Sequence, residues 1–562
     1  MERRTVHTLA AAALTAVLVA GCARSPAATA SRNGHLTVSI QGDPSTLDPV
    51  LTQTATEFDV LNNTMEGLVR IDSSGVPQGG IAKSWTVGPR GLTYTFTLRN
   101  AVWSNGDPVT ATDFVDAWQQ AVDPRTAAPY ASDFSYIQGS AALLNMQLPN
   151  ATAHPNAYQA AVAKIPGLLD QFGVQAPNAQ TLVVHLAQPT PYWVSLTALP
   201  PYFPVDGAFV QKVGAANYGG SAQDVLSDGP FMLTSWVHNG QLVLARNPRY
   251  WDASAVRLSQ VTMLEVTQPA TEINLWASGK LGAMLPSIPQ AYVAHFQGQP
   301  GFHSAADATT AYVVTNTAKG VFSNTLIRQA FSLAVDRQSL ATNVVQGNAL
   351  PAYALVPPVI DYTPGKPFTQ LVGKVLGTTA NDALAKQDLA AGLKALGLSS
   401  LPTVTLLTLN NSSQQTQGQA LQAMWETALG ITVQVDPLGT NTFFADLGQG
   451  QFELGLLGWN ADYNDPTTFL GLFQGNSSMN LTGWNDASFN SDLNAAAGAT
   501  TATQRGADLA AASQVLLSQL PAIPLYWTSR NWMVQTDVHG LVVYPTGPDY
   551  SLKWTWIGPA SS

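Results

Sequence analysis

The chain has 562 residues, of which 46% are apolar and 11% charged, with a single cysteine and a formal net charge of −10. That length is too great for one compact core, so two or three domains are expected, and the composition is that of a globular protein rather than a disordered one. The acidic balance, with no basic patch or arginine-rich tract, argues against nucleic acid as a partner, and a lone cysteine leaves no internal disulfide to supplement core burial.

In chain order, the first element is a leader. Arg3-Arg4 supplies a positive start, and Leu9 to Ala20 is an apolar run of signal-peptide length, too short to span a bilayer. It ends Leu18-Val19-Ala20-Gly21-Cys22, which resembles the lipobox of bacterial lipoproteins. That resemblance implies that Cys22 is diacylated and becomes the mature N-terminus, held at the membrane by two acyl chains where one would be marginal. Residues 1–21 are therefore expected to be a signal peptide and 22–35, small and polar, a flexible tether. No later stretch holds the roughly 18 consecutive apolar residues that a membrane span needs.

Leu36–Ile40 alternates and predicts a strand, followed by a turn-rich loop, Gln41 to Pro49. Phe58, Leu61, Met65 and Leu68 have helical spacing, which predicts a helix over 56–68. Leu92–Leu98 alternates cleanly as a half-exposed strand, Trp103–Pro108 is a turn, and Thr112-Asp113 caps a helix running through Trp118 and Val122. An Ala/Gln-rich segment, 140–175, has no clear place. Pro189 to Pro204 is punctuated by prolines and predicts a crossing between domains, with a second crossing near 300–312. From 310 to 535 helices and strands alternate: a helix over 328–345, a strand over 403–409, a helix over 414–429, and a strand over 431–435 after the Leu429-Gly430 stop.

Phe452 to Trp459 is a short apolar run that predicts a buried strand. It runs out into Asn460-Ala461-Asp462-Tyr463-Asn464-Asp465-Pro466, where Asp465 and Pro466 suit an N-cap and the first helical position. That leaves Asp462, flanked by aromatics at a strand end, without a structural duty. As residues alone, Asp462 fits an Asx-turn at a strand exit better than a clamp for a ligand's ammonium group.

A set of short motifs in fixed order widens the reading. Leu47-Asp48-Pro49, Glu66-Gly67-Leu68, Ile81-Ala82-Lys83-Ser84-Trp85, Tyr94 to Arg99, Val102 to Ala111 and Asp113-Phe114 come first. Ser227 to Trp236, Arg246 to Trp251, Ile327 to Arg337 and Pro521 to Tyr526 follow. Together they resemble the extracellular solute-binding proteins of family 5, the peptide/nickel class serving ABC importers, and the stretch from Asp113 to Ser132 looks most like the oligopeptide-binding branch. The departures are Gly282 where the family has Asp, and the 140–175 segment.

The resemblance implies a mixed α/β, periplasmic-binding-protein-like fold: two lobes closing over a cleft, with an extra domain beside the first. Domain I would comprise 36–65, 200–308 and 536–562, domain II 66–199, and domain III 309–535. An extended peptide would lie between the lobes as an added strand. Its α-ammonium would meet Asp462, while Trp459, Asn460, Ala461 and Tyr463 supply backbone partners and a wall. Ser45, Thr46 and Leu47 would face them from the opposite loop, and Tyr130 and Tyr526 match aromatic positions near the pocket. In enteric relatives an arginine six residues before the clamp can meet a peptide carboxylate; here that position is Leu456.

No Walker loop, zinc-binding His-Glu-x-x-His, Cys pair or nucleophile elbow occurs, so no cofactor, metal or catalytic residue is expected. The expected partners are a peptide, the permease of an ABC importer and the membrane through Cys22, with the protein a monomer on the outer face of the cytoplasmic membrane. The rivals are the same fold carrying an oligosaccharide, metal chelate or antibiotic, a signalling or adhesive surface lipoprotein, and an exported hydrolase.

Overall fold

The computed structural model describes residues 34–559 except 74, 348, 476 and 478, so the signal peptide, Cys22 and most of the tether lie outside the described residues. One eleven-stranded mixed sheet runs through the molecule. At one end lie Phe231–Val237, Gln241–Arg246, Gln260–Glu265, His35–Ile40 and Ala283–Met284; at the other lie Leu454–Asn460, Val404–Leu409 and Val433–Leu438. Two long antiparallel strands, Phe302–Thr315 and Ala522–Val534, join the ends. A separate four-stranded antiparallel sheet is formed by Ala82–Val87, Thr93–Leu98, Thr181–His185 and Val174–Asn178.

The cores divide the fold into two lobes. Residues from Leu36 to Leu285, with Val534 to Leu552, share one apolar core that includes fully buried Trp103, Trp118 and Trp193. Residues from Ala308 to Trp527 build two cores, one on each face of their part of the sheet. Leu454 and Leu456 face Trp425 and Phe331 on one side, and Leu457 faces Phe443 and Phe469 on the other. Burial on both faces is why this strand reads as a continuous apolar run.

The polypeptide passes between the lobes on the two long strands. Their register is broken between Ala306 and Thr310, so 302–306 pair with 529–533 on one side of the irregularity and 310–314 with 522–527 on the other. Arg530 sits at this break, paired with Asp307 at 3.4 Å and with Asp549 of the first lobe at 2.6 Å.

Several elements differ from expectation for local physical reasons. The first helix covers Ala55–Thr64 and stops at Met65 rather than reaching Leu68. Gly67 lies so close to the Thr197 carbonyl and the Phe203 ring that no side chain fits there, and Glu66 turns inward to a buried ion pair. In that pair Arg70 Nη2 lies 2.8 Å from Glu66 Oε2, and the guanidinium also donates to Asn62, to the Met65 carbonyl at 3.1 Å and to Ser551 Oγ at 3.4 Å. The Tyr250 hydroxyl donates to the same Glu66 oxygen at 2.7 Å. The next helix, Ala111–Val122, is capped by Thr110 rather than Thr112, with Asp113 completing a capping box.

The helix expected over 328–345 is broken. Thr325–Leu333 ends, Asp336 caps Arg337–Ser339, and the chain continues as a π-turn over Leu340–Val345. The 140–175 segment forms three short helices, Ser140–Leu144, Pro155–Val162 and Ile165–Leu169. Among the described residues no helix is long and apolar enough to cross a membrane.

Candidate ligand-binding cleft

The strand Leu454–Asn460 delivers Asp462 to the cleft. Pairing with the long strand ends at Asn460 opposite Thr309, and the Ala461 N–H still donates to the Ala308 carbonyl at 2.9 Å, so Asp462 is the first residue free of the ladder. Its backbone N–H donates to Thr468 Oγ1 at 3.2 Å, as does the Trp459 indole at 3.3 Å, while the Thr468 hydroxyl points back to Asp462 Oδ2 at 3.4 Å. A hydroxyl offers one donor and two lone pairs, and Thr468 uses all three. The tip of Asp462 opens to solvent in the cleft, but protein crowds it on the other sides. That desolvation raises its carboxyl above the ordinary range, partly offset by the Thr468 bond.

The neighbouring acid is different. Asp465 Oδ1 accepts from the Thr467 N–H at 3.0 Å and the Thr467 hydroxyl at 2.7 Å, holding the start of the short helix Thr467–Leu470, whose N-cap position is Pro466 rather than Asp465 as the sequence suggests. It is also ion-paired with Arg505 at 2.8 Å, both side chains being almost fully buried. Asp465 thus has a cation and the Thr467 donors; Asp462 has spare acceptor capacity and, among the described residues, no cation.

Tyr463 stacks on Tyr192 with ring centroids 4.2 Å apart and 6° between planes, and Tyr136 meets Tyr192 edge-on at 5.8 Å. Burial holds all three hydroxyls neutral by raising their pKa values. With Trp459, Asp462 and Arg505, these rings line a cavity of about 420 Å³, a size suited to a small ligand or a peptide's first residue.

In the first lobe lies the loop that contains Ser45. Glu57 gathers it by accepting from the Ser45 N–H and hydroxyl, the Thr52 hydroxyl, and the Gln53 and Thr54 N–H groups. Burial pushes the Glu57 carboxyl up, but the bonds from Gln53, Ser45 and Thr54 outweigh it and leave the pKa below its usual value. Ser45 is exposed and Leu47 buried; the Leu47 N–H is committed to the Gly219 carbonyl at 2.8 Å, and Thr46 Oγ1 accepts from Asp48 at 3.0 Å. Gly219 has φ of +82°, and a Cβ there would lie 2.5 Å from Asp48 N and 2.6 Å from Thr46 Oγ1. Gly219→Ala is therefore expected to cost about 1–3 kcal/mol in urea unfolding and to weaken ligand binding by shifting residues 46–48.

Tyr130 packs on Phe58 at 5.3 Å, and its hydroxyl pKa is raised by burial and then by the charges of Asp133, Asp462 and Glu57. It therefore stands between the two walls. Tyr526 does not join this group. It is 6% exposed, its hydroxyl donates to Gln417 Oε1 at 2.9 Å, and it borders a second cavity of about 280 Å³ that shares no lining residue with the first. The described lining of that second cavity contains no Lys, Arg or His. Leu456 is 1% exposed and paired with Val313, on the core face that also holds Tyr526, so its side chain does not enter the cleft.

Four contributors escaped the sequence reading: Thr468, Tyr136, Tyr192 and Arg505. None carries a local signal, since each is defined by what folds against it. Glu57 was legible as the fourth position of a Thr54-x-x-Glu57 capping box.

Residues 76–480 match the model of the bacterial extracellular solute-binding proteins, family 5. The chain is 34% identical over 524 residues to the oligopeptide-binding protein OppA of Bacillus subtilis, covering 92% of this chain and 91% of that one. Among solved structures, the unliganded open form of the periplasmic murein tripeptide-binding protein MppA superposes with a TM-score of 0.78 at 28% identity, covering 93% of this chain and 97% of that one. Listeria monocytogenes OppA bound to peptide gives 0.68 at 28% identity, covering 93% and 99%. The fit is thus better to the open, empty arrangement than to the peptide-bound one.

Proposed function

The chain belongs to family 5 of the bacterial extracellular solute-binding proteins, and from that premise we propose that it captures peptides with a free N-terminus in the interlobe cleft and delivers them to an ABC importer. The observation that carries this reading is the contrast between two neighbouring acids, Asp465 neutralised by Arg505 and Asp462 left without a cation. An α-ammonium supplies that cation. Trp459, Asn460, Ala461 and Tyr463 form the wall on the same side, Ser45, Thr46 and Leu47 the facing loop, and Tyr130 the contact between them. Closure follows because one ligand touches both lobes, so the closed form gains interactions that the open form lacks.

We take the protein as a receptor without enzymatic activity or cofactor, as in its family, working as a monomer. It would stand on the outer face of the cytoplasmic membrane, anchored through Cys22, with domain I (36–65, 200–308 and 536–562) and the extra domain II beside it (66–199) together making the first lobe, and domain III (309–535) the second. An oligosaccharide reading is weaker, because the faces of Tyr192 and Tyr463 cover each other and offer no stacking platform.

Isothermal titration calorimetry with one tripeptide in free, N-acetylated and C-amidated forms tests the proposal. Acetylation is expected to lower affinity by about 10- to 100-fold through loss of the charge-assisted bond. Amidation is expected to change it by less than about threefold, since Leu456 is buried and the distal cavity is uncharged. Equal affinity for the free and acetylated forms would sink the Asp462 clamp, and silence for all three would sink the peptide reading.

A further inference from the structure

Opposite Asp462, the first lobe presents a second acid that the ammonium clamp does not use. Asp133 lies on a 3₁₀ turn, Ala131–Tyr136, preceded by Tyr130. In a 3₁₀ turn residues three apart eclipse one another, so Tyr130, Asp133 and Tyr136 share one face. Tyr136 lines the Asp462 cavity, so this face of the turn borders it, and Asp133 is near enough to Asp462 for the neighbouring charge to raise its carboxyl.

The turn is firmly seated. Phe134 is fully buried from its other side, 4.5 Å from the Tyr202 ring, and the Tyr202 hydroxyl donates to the Asp133 carbonyl oxygen at 2.6 Å. The Asp133 carboxylate is half-buried and, among the described residues, neither donor nor cation meets it. Two other acids have a cation of their own, Asp465 with Arg505 and Asp123 with Arg125.

Resting on the peptide reading above, we propose that Asp133 is a second cation-binding carboxylate of the cleft, selecting peptides whose first residue carries both a free α-ammonium and a Lys or Arg side chain. The α-ammonium takes Asp462, and the long, flexible stem of a first-position lysine carries its charge across to Asp133. A peptide with one charge leaves Asp133 desolvated on closure without compensation, whereas a doubly charged one satisfies both acids.

The groups facing Asp133 are Asp462 from the second lobe, Tyr130 and Tyr136 on its own turn, and Tyr202 packed beneath it, with Glu57 acting on Tyr130. Burial, then the charge of Asp462, raises the Asp133 carboxyl to about 7. It is therefore an anion above that pH and takes a proton below it, while a lysine ammonium, with pKa about 10.4, stays charged throughout.

The test is calorimetry of Lys-Ala-Ala against Ala-Ala-Ala at pH 8 and pH 6, with the wild type, Asp133→Asn and Asp133→Ser, each variant's fold checked by its melting temperature. The ratio of the two affinities cancels the titration of the α-ammonium, which both peptides carry. Wild type is expected to prefer Lys-Ala-Ala by about tenfold at pH 8 and by about twofold at pH 6. Both variants should bind the peptides within about twofold of each other while still binding Ala-Ala-Ala. A wild-type preference that is absent, or unchanged between the two pH values, or retained in Asp133→Asn, overturns the assignment. If neither Ala-Ala-Ala nor Lys-Ala-Ala binds the wild type, the peptide reading falls and takes this one with it; tight but unselective binding overturns only the role of Asp133.

Discussion

Asp462→Ala is expected to lower the affinity for an unblocked peptide by about two to three orders of magnitude, the cost of leaving a desolvated ammonium without its anion, about 3–4 kcal/mol. Its structural consequence is small: the side chain makes one long bond to Thr468, and the Asp462 N–H keeps its own bond to the same hydroxyl. Affinity for an N-acetylated peptide should stay unchanged, since that ligand brings no charge. The neighbouring Asp465→Ala gives the opposite pattern, stranding buried Arg505 and removing the acceptor that holds Thr467 at the start of its helix, so it should lower the melting temperature first. The clamp is also pH-dependent. Desolvation raises the Asp462 carboxyl, so affinity falls as pH drops through that raised value, and it falls again above about pH 8 as a peptide α-amine loses its proton. Calorimetry that returns a loss of less than about tenfold for Asp462→Ala places the ammonium elsewhere.

The largest stability effect is expected at Arg70→Ala, about 3–5 kcal/mol in urea unfolding at pH 7. Removing the guanidinium leaves Glu66 ionised and fully buried, with the Tyr250 hydroxyl and the more distant charge of Lys553 in its place, and it also strips the donors that tie Asn62, the Met65 carbonyl and Ser551 together. The pair therefore fastens the first helix to the C-terminal segment. Burial by itself pushes the Glu66 carboxyl up, and Arg70 overcomes this to leave its pKa below the usual 4.5. A depressed acid contributes stability above its unfolded pKa and loses it as pH falls through the folded one, so this contribution fades in the acid range below about pH 4.5. In Arg70→Ala the sign reverses: the buried acid has a raised pKa, and the variant's deficit should shrink between pH 7 and pH 5 as Glu66 takes a proton. A deficit that is constant over that range would show that lost packing, not the stranded charge, dominates.

Much of the fold is written locally. The strand Leu454–Asn460 and the helix Ser412–Leu429 follow from an apolar run and from a cap at Asn411 with a stop at Gly430. What periodicity could not show is tertiary in origin. The helix expected over 328–345 breaks because Arg337 is pulled inward, where its guanidinium donates to the Pro524 and Ser332 carbonyls and to Ser332 Oγ, an arrangement set by a strand nearly two hundred residues away. The site divides the same way. Asp462 looked like a turn residue on its own, and its distinction from Asp465 rests on Arg505, forty positions further on. Leu456 was legible as a missing cation and as part of a buried strand, but not which face it takes, because both faces of that strand are apolar. Asp133 had no signal at all until its 3₁₀ turn set it level with Tyr130 and Tyr136.

The two long strands that join the lobes also bear on how such receptors diversify. Val314, where the chain is entering the second lobe, lies directly across the ladder from Ala522, where it is leaving, so everything between them begins and ends at adjacent positions. A segment of that kind can be exchanged whole between relatives with two clean junctions, since the cut ends are already held together by sheet pairing. Recombination at these junctions would pass on Asp462, Trp459 and their surroundings as a unit while leaving Asp133, Tyr130 and the Ser45 loop with the recipient. Ligand preference, divided between the two parents, would then emerge in the first generation of chimaeras as combinations that neither parent possesses.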